Sequence, residues 1–282
     1  MILALRVVAA LLAAGMLDAQ TQAPFRSGTN AVAVDVAVFD GDRVVRNLTP
    51  GSFEVRDNGV RQIVETADFN TLPIDLRLVF DISGSISESD LERYLRTMRQ
   101  VAATLEPRDR CEIVTFDARV ADAAARQSPP IRIDLRRGAV DGTAFFDAAL
   151  LSLITVPTPD RRQITIILSD AKDNSSFFDE AALQQVARRT DAVVYTVLPG
   201  DLTVSRTVSE TRLQALSVLT GGRLVLTHPH AIGSAVISAI EEFRQSYVVR
   251  YIVSGVGIDG WHKLDIRVPG YRVRAKTGYF GR

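Results

Sequence analysis

The segment Gln163-Ile-Thr-Ile-Ile-Leu-Ser-Asp170 constrains the fold more than any other stretch of this chain. It is nearly continuous in apolar character and too short for an ordinary helix. That is the pattern of a strand covered on both faces, and such strands belong to parallel sheets with helices above and below. The neighbouring sequence supplies both kinds of element. Residues 74–80, 111–116, 192–198 and 224–226 read as further strands. Between them lie segments of helical period. One places Leu91, Leu95, Met98, Ala102 and Leu105 on a single face, and Ser87 with Asp90 forms a capping box at its start. Residues 143–154, 179–189 and 210–219 are also expected to be helical, the last closed by Gly221-Gly222. A final helix carries Ile232, Ala235, Val236, Ala239, Ile240 and Phe243. Residues 72–245 therefore predict an α/β domain with a doubly wound, mostly parallel sheet flanked by helices.

The flanks have a different period. Val32, Val34, Val36 and Val38 alternate with other residues, as in a strand with one buried face. Turns follow at Asp40-Gly41-Asp42 and Leu48-Thr-Pro-Gly51, then a strand at Phe53-Glu-Val55. Asp57-Asn58-Gly59 is the strongest hairpin signal in the chain, and residues 60–69 are expected to return as one strand. After Ser246, residues 247–253, 261–268 and 271–275 read as strands, with a turn at Asp259-Gly260. Each flank alone is too thin for a stable core. Segments 31–71 and 246–282 are thus expected to pack together as an accessory all-β module, with the α/β domain inserted between them.

Composition narrows the possible functions. The 282 residues carry a formal net charge of zero, so no global field draws the chain to nucleic acid or to an anionic membrane. One cysteine allows no intrachain disulfide, and three histidines with that cysteine argue against a zinc site. At the N-terminus, Arg6 precedes an apolar run that ends at Leu17-Asp18-Ala19. This is the pattern of a signal peptide over residues 1–19, followed by a polar linker over 20–30. The expected location is secreted, periplasmic or in the cell envelope, with no integral membrane segment in the mature chain.

Polar clusters follow the expected strands at their carboxyl ends, where open α/β sheets bind ligands. Asp81, Ser83 and Ser85 follow the first strand, Asp141-Gly142-Thr143 precedes a helix, and Asp170 ends the apolar strand with Asp173 just beyond. Asp81, Ser83 and Ser85 alone also read as a helix-capping turn, and Asp141 as a solvated loop residue. Together the clusters place hard oxygen donors on one face, a set suited to a hard cation such as Mg²⁺.

These motifs resemble von Willebrand factor type A domains that carry a metal-ion-dependent adhesion site. The likeness rests on Asp81-x-Ser83-x-Ser85, the Gly142-Thr143 pair and the strand end Leu168-Ser-Asp170. The flanks are similar to a group of secreted bacterial von Willebrand factor A-related proteins frequent in Acidobacteria. That similarity rests on Leu48-Thr-Pro50, Phe53-Glu-Val55, Asp57-Asn-Gly59, Tyr247-Val-Val-Arg-Tyr251 and Lys276-Thr-Gly-Tyr-Phe280. The resemblance implies that Ser83, Ser85 and Thr143 ligate the ion directly and that Asp81 and Asp170 act through water. It leaves Asp173 and Gly142 as accessory positions, and Mg²⁺, Mn²⁺ or Ca²⁺ as the ion. The implied partner is a protein that presents an Asp or Glu carboxylate. One departure is Ala171, where the family often has glycine. The chain is not expected to be an enzyme. Ser83 stands where an Asp-x-Asp phosphotransferase has its acid, and Gly84-Ser85-Ile86 lacks the Gly-x-Ser-x-Gly elbow. The other readings are a structural envelope protein whose metal site only steadies loops and, last, a metal-dependent hydrolase.

Overall fold

The computed structural model describes residues 31–84, 86–133, 138, 140–154, 158, 160–200 and 208–281. The expected signal peptide, the linker and Ser85 lie outside the described residues. Strands β1 (Ala31–Asp40) and β2 (Arg43–Val44) form the first hairpin. A short 3₁₀ turn leads to β3 (Glu54–Asp57), which pairs with β4 (Val60–Gln62). Asn58 and Gly59 both take positive φ, +48° and +86°, as the tight hairpin demands. The chain then departs from the single strand expected over residues 60–69. Ile63 is 83% exposed, and β5 (Val64–Phe69) belongs to a different sheet. The crossing is pinned by buried Gln62, whose amide donates to the Ser254 carbonyl at 2.9 Å and accepts from the Ser254 N–H at 2.9 Å.

The α/β region runs β6 (Ile74–Asp81), α1 (Glu88–Thr104), β7 (Arg110–Phe116), β8 (Val120–Gln127), α2 (Phe145–Leu153), β9 (Arg162–Leu168), α3 (Glu180–Ala187), β10 (Val193–Pro199), α4 (Val208–Thr220), β11 (Leu224–Thr227) and α5 (Ile232–Arg244). Its six strands lie in the order β11-β10-β9-β6-β7-β8, all parallel except the β7–β8 pair. Every residue of β9 is buried. Period-two alternation sends neighbouring residues to opposite layers. Leu78 and Ile166 pack under α1 and α5 with Met98 and Phe243, whereas Val79 and Ile167 pack under α2, α3 and α4 with Phe145, Leu183 and Leu213. Cys111 lies inside β7, where burial pushes its thiol up to about 12. Among the described residues no helix is long and apolar enough to cross a membrane.

Part of one helix face and one strand differ from expectation. Helix α1 sets Met98 and Leu105 in the core with Leu91 and Leu95 packed against it, as expected, and also buries Tyr94, Thr97 and Val101. The face is set by α5 and by the ring contact of Tyr94 with Phe80 at 5.0 Å, which no local period encodes. The capping box itself is formed: Asp90 N–H donates to Ser87 Oγ at 3.2 Å and Ser87 N–H to the Asp90 carboxylate at 3.3 Å. Strand β8 was not expected, because its Ala-rich sequence has low strand propensity. It pairs as the edge strand of the sheet.

The chain ends in β12 (Tyr247–Ile252), β13 (Gly260–Arg267), β14 (Arg272–Ala275) and β15 (Gly278–Gly281), the last also unanticipated. These strands interleave with those of the N-terminal flank. One sheet has the order β14-β1-β12-β5 with β2 on β1, and the other has the order β15-β13-β3-β4. Val34, Val36, Phe53, Tyr247, Tyr251 and Leu264 share one apolar cluster.

Arg162, at the head of β9, ties this cluster's sheets to the α/β region. Its side chain is 3% exposed, and its Nε donates to Asp35 Oδ1 at 2.6 Å. Its Nη2 donates to the Phe243 carbonyl at 2.8 Å and bonds Ser246 Oγ, and its guanidinium stacks on the Phe243 ring at 4.1 Å. Removing one partner of a buried ion pair strands the other. Arg162→Met is therefore expected to cost about 3–5 kcal/mol in urea denaturation. Adding Asp35→Ala should cost clearly less in the Arg162→Met background than in wild type, because the two share one interaction. Additive losses would show that the pair does not couple the two parts.

Candidate functional site

Strands β6 and β9 are neighbours, but the chain leaves them toward opposite edges of the sheet. Such a divergence is the place where open α/β sheets form a ligand crevice. Asp81 is the last residue of β6, and Ser169-Asp170 directly follow β9. Asp81 is 3% exposed. Its Oδ1 accepts the Ser83 N–H at 3.0 Å and its Oδ2 accepts the Ser169 hydroxyl at 3.0 Å. Burial raises the Asp81 pKa above the ordinary carboxylate value. The bonds from Ser83 and Ser169 oppose the shift, and the nearby Asp170 charge adds to it. Ser83 is buried beside it.

Gly138 and residues 140–144 lie beside the end of β6. Their organiser is Asp117, a buried residue that follows β7. Asp117 Oδ2 accepts the Val140 N–H at 3.2 Å, and its backbone carbonyl accepts the Ala144 N–H at 2.7 Å. The Gly138 N–H donates to the Ile82 carbonyl at 3.1 Å. A Cβ at Gly138 would lie 2.6 Å from that same oxygen, so only glycine permits the contact. Thr143 is stitched to the opposite loop. Its N–H donates to Asn174 Oδ1 at 2.8 Å, and its carbonyl accepts from the Asn174 and Ser175 N–H groups at 3.0 and 3.2 Å. Gly142 takes φ +123° and abuts Ser175. Asp141 is exposed, with its Oδ1 close to Gly84.

Another loop follows β9. The Asp170 carboxylate is partly exposed, and its Oδ2 lies 2.7 Å from Lys172 Nζ. Asp170, with a smaller contribution from Asp81, raises the Lys172 pKa. Ala171 adopts φ +54°, the left-handed turn that glycine takes freely. The conformation costs roughly 1–2 kcal/mol for an L-residue. Its buried methyl packs with the α2–α4 cluster, and the Ala171 carbonyl accepts from Arg212 at 2.8 Å. Alanine here thus holds the left-handed turn while its methyl contributes to the core. Asp173 is occupied elsewhere: its Oδ2 accepts the Phe146 N–H at 3.0 Å and the Ser176 hydroxyl at 2.5 Å, which caps α2. Asp147 returns the favour across the same gap, accepting the Phe177 and Phe178 N–H groups at 3.0 and 2.9 Å.

Asp81, Ser83 and Asp170 are thus neighbours at the ends of β6 and β9, Thr143 and Gly142 abut the loop at Asn174-Ser175, and Asp173 caps α2. Sequence reasoning missed Asp117 and Asn174. The one available signal for Asn174 was the run Asn174-Ser-Ser176, which reads first as a glycosylation pattern. The donors at hand are neutral hydroxyls and two carboxylates, with no His or Cys in these loops. Among the described residues no three His, Cys, Asp or Glu side chains converge. The set fits a hard cation, and a buried carboxylate disfavoured in its charged form is the kind of group a cation relieves.

No protein-family model matches this chain, and no curated protein does. Solved structures do resemble it. The von Willebrand A protein VWA2, an ArnB paralog from Sulfolobus acidocaldarius, aligns with TM-score 0.51 and 11% identity over 87% of this chain and 73% of its own. A von Willebrand factor type A protein from Catenulispora acidiphila aligns with TM-score 0.49 and 11% identity over 91% of this chain and 75% of its own. Proximal thread matrix protein 1 of the mussel byssus aligns with TM-score 0.49 and 14% identity over 61% of this chain, which spans 48% of that protein. The first of these likenesses establishes a von Willebrand A-type α/β fold.

The raised Asp81 pKa sets the sign of a pH effect in metal-free protein. A carboxyl whose folded pKa is raised contributes stability below its unfolded pKa and loses it as pH rises through the folded value. Asp81→Asn keeps the acceptor for Ser83 and removes the charge. In EDTA at neutral pH the variant is expected to be at least as stable as wild type, and wild type should regain ground on it as the pH falls. Chemical denaturation of both across a pH series checks this. A variant that is less stable by a margin independent of pH would show that the Asp81 charge is not a burden.

Proposed function

We propose that this chain is an exported, metal-dependent protein-binding module that takes part in adhesion or assembly. In this reading residues 72–245 form the binding domain, and 31–71 with 246–282 form an accessory β module beside it. The ion, Mg²⁺ or the similarly hard Mn²⁺ or Ca²⁺, would be held by Ser83, Ser85, Thr143, Asp81 and Asp170. It supplies an open coordination position to an Asp or Glu carboxylate of a protein partner. Export is supported by the pattern of residues 1–19, which points to secretion or to the periplasm and envelope. None of the three histidines lies in the crevice loops, which favours capture over hydrolysis.

The observation that carries the reading is the buried carboxylate of Asp81 at the point where β6 and β9 part, with Ser83, Ser169 and Asp170 beside it. A second feature suits a protein partner. Phe177 is 88% exposed and Phe178 40%, in the loop whose Asn174 holds Thr143. Exposed aromatic side chains at a site rim are the usual anchors of an interface.

Paired peptide libraries, identical except for Asp or Asn at one position, test the reading on immobilised protein. Asp peptides are expected to be retained in Mg²⁺ and released by EDTA, and Thr143→Ala should abolish retention with the fold intact. Phe177→Ala should weaken binding about tenfold, or about 1.4 kcal/mol, without lowering Tm. Retention that ignores EDTA overturns metal-dependent capture. A rise of Tm in Mg²⁺ with no metal-dependent retention would instead leave the ion as a stabiliser of loops.

A further inference from the structure

The sheet β15-β13-β3-β4 turns one face to the apolar cluster, through Val55 and Leu264. Period-two alternation therefore sends Glu54, Arg56, Lys263, Asp265 and Arg267 to the other face. The register adds Arg61, directly opposite Arg56. It also sets Phe280 opposite Trp261 on this side. Arg56, Arg61, Lys263 and Arg267 are all exposed.

The acids of this face are spent on one residue. Arg267 Nη2 lies 2.6 Å from Asp265 Oδ2, and Glu54 stands opposite Arg267 in the register. Arg56, Arg61 and Lys263 are left with no carboxylate partner among the described residues, although Asp265 stands opposite Arg56. Arg56 donates instead to the Gly59 carbonyl at 3.1 Å. Like charges directly opposite each other destabilise a strand pair, so Arg56 beside Arg61 calls for an anion. Two more cations join at the β15 side. Arg188 and Arg189 end α3 and are exposed. The Arg188 guanidinium lies over the Trp261 ring at 5.1 Å and that of Arg189 over the Phe280 ring at 3.8 Å. Neither has a carboxylate partner among the described residues. Stacking occupies the flat side of a guanidinium and leaves its N–H edge for an anion.

These cations form a track across the sheet, from Arg61 and Arg56 past Lys263 to Arg188 and Arg189. Strands lie about 4.8 Å apart and rise about 3.4 Å per residue, so the ends of the track are roughly 20 Å from each other. The whole chain has a formal net charge of zero, so the excess belongs to this face.

We propose that this face binds an extended acidic polysaccharide whose charges are carboxylates. Planar carboxylates match guanidinium forks. A line of cations serves a chain better than the plane of a membrane. The centre of the face is charged, whereas the centre of a protein interface is apolar. Single-stranded nucleic acid needs open aromatic faces for its bases, and here Arg188 and Arg189 already cover the Trp261 and Phe280 rings. The proposal is independent of the candidate metal site.

Binding of the full-length protein to polygalacturonate in EDTA tests it, because the chelator keeps the crevice at β6 and β9 out of the measurement. Saturable binding is expected at low ionic strength and should weaken as salt screens it. Methyl-esterified polygalacturonate, the same chain without its charges, should bind at least about tenfold more weakly, a difference of about 1.4 kcal/mol. Arg56→Gln with Arg61→Gln, both at exposed positions, should lower affinity by a similar factor with Tm unchanged. Arg96→Gln with Arg99→Gln removes the same charge from exposed positions of α1 and should leave binding unchanged. Equal losses from the two pairs would reduce the effect to net charge and overturn the proposal. So would failure to bind polygalacturonate, or tighter binding to polyglutamate, to single-stranded DNA or to phosphatidylglycerol vesicles.

Discussion

One buried guanidinium holds the two parts of this protein in register. Arg162 opens β9, and burying its charge is tolerable only because every face of the group is met. Asp35 comes from β1. The Phe243 and Arg244 carbonyls come from the C-terminal end of α5, where the helix dipole also favours a cation. Ser246 comes from the junction into β12. Two segments distant in sequence, β1 and the α5–β12 junction, are thus fixed to the first residue of a strand buried along its whole length. A strand rises about 3.3 Å per residue, so the same element carries Asp170 to a point roughly 25 Å away. What is fixed at the amino edge is fixed at the carboxyl edge.

The crevice at that carboxyl edge is made of loops, yet few of its backbone groups are left to solvent choice. Asp117 binds loop 138–144 through side chain and backbone, and Thr143 exchanges bonds with Asn174 in both directions. Asp173 and Asp147 clasp α2 and the Phe177 loop reciprocally. Asp81 and Asp170 add turns of their own, accepting the Ser83 N–H at 3.0 Å and the Lys172 N–H at 3.1 Å, so the loops at this edge are held by many short-range acceptors.

Legibility in the sequence followed the range of the interactions concerned. Local signals survived. The capping box at Ser87, the hairpin at Asn58-Gly59, the glycine close of α4 and the two-sided burial of β9 each depend on a few adjacent residues. Signals that depend on distant partners did not. The break at Ile63 exists because Gln62 meets Ser254, 192 positions away. The edge strand β8 is dictated by β7 and not by its own alanines. Asp57 read as a turn residue of its hairpin, and in the fold it is the buried acceptor for His262, 205 positions on. At the site, Asp81 and Asp170 stood out as strand ends. Asp117, equally close to a strand end, did not, because nothing beside it marks what it will bind.

The metal-free crevice is not short of a cation, since Lys172 already sits on Asp170. The two differ in depth. The Lys172 side chain is 77% exposed, and an exposed ion pair contributes about 1 kcal/mol at most. Such a contact balances Asp170 without competing strongly for it. Asp81 lies beneath, closed off by Ser83 and Ser169, and no lysine or arginine pairs with it among the described residues. A flexible ammonium therefore satisfies the outer carboxylate and leaves the inner one with only hydroxyl and amide donors. The two carboxylates at the ends of β6 and β9 therefore differ in kind, one exposed and ion-paired, the other buried and held by neutral donors.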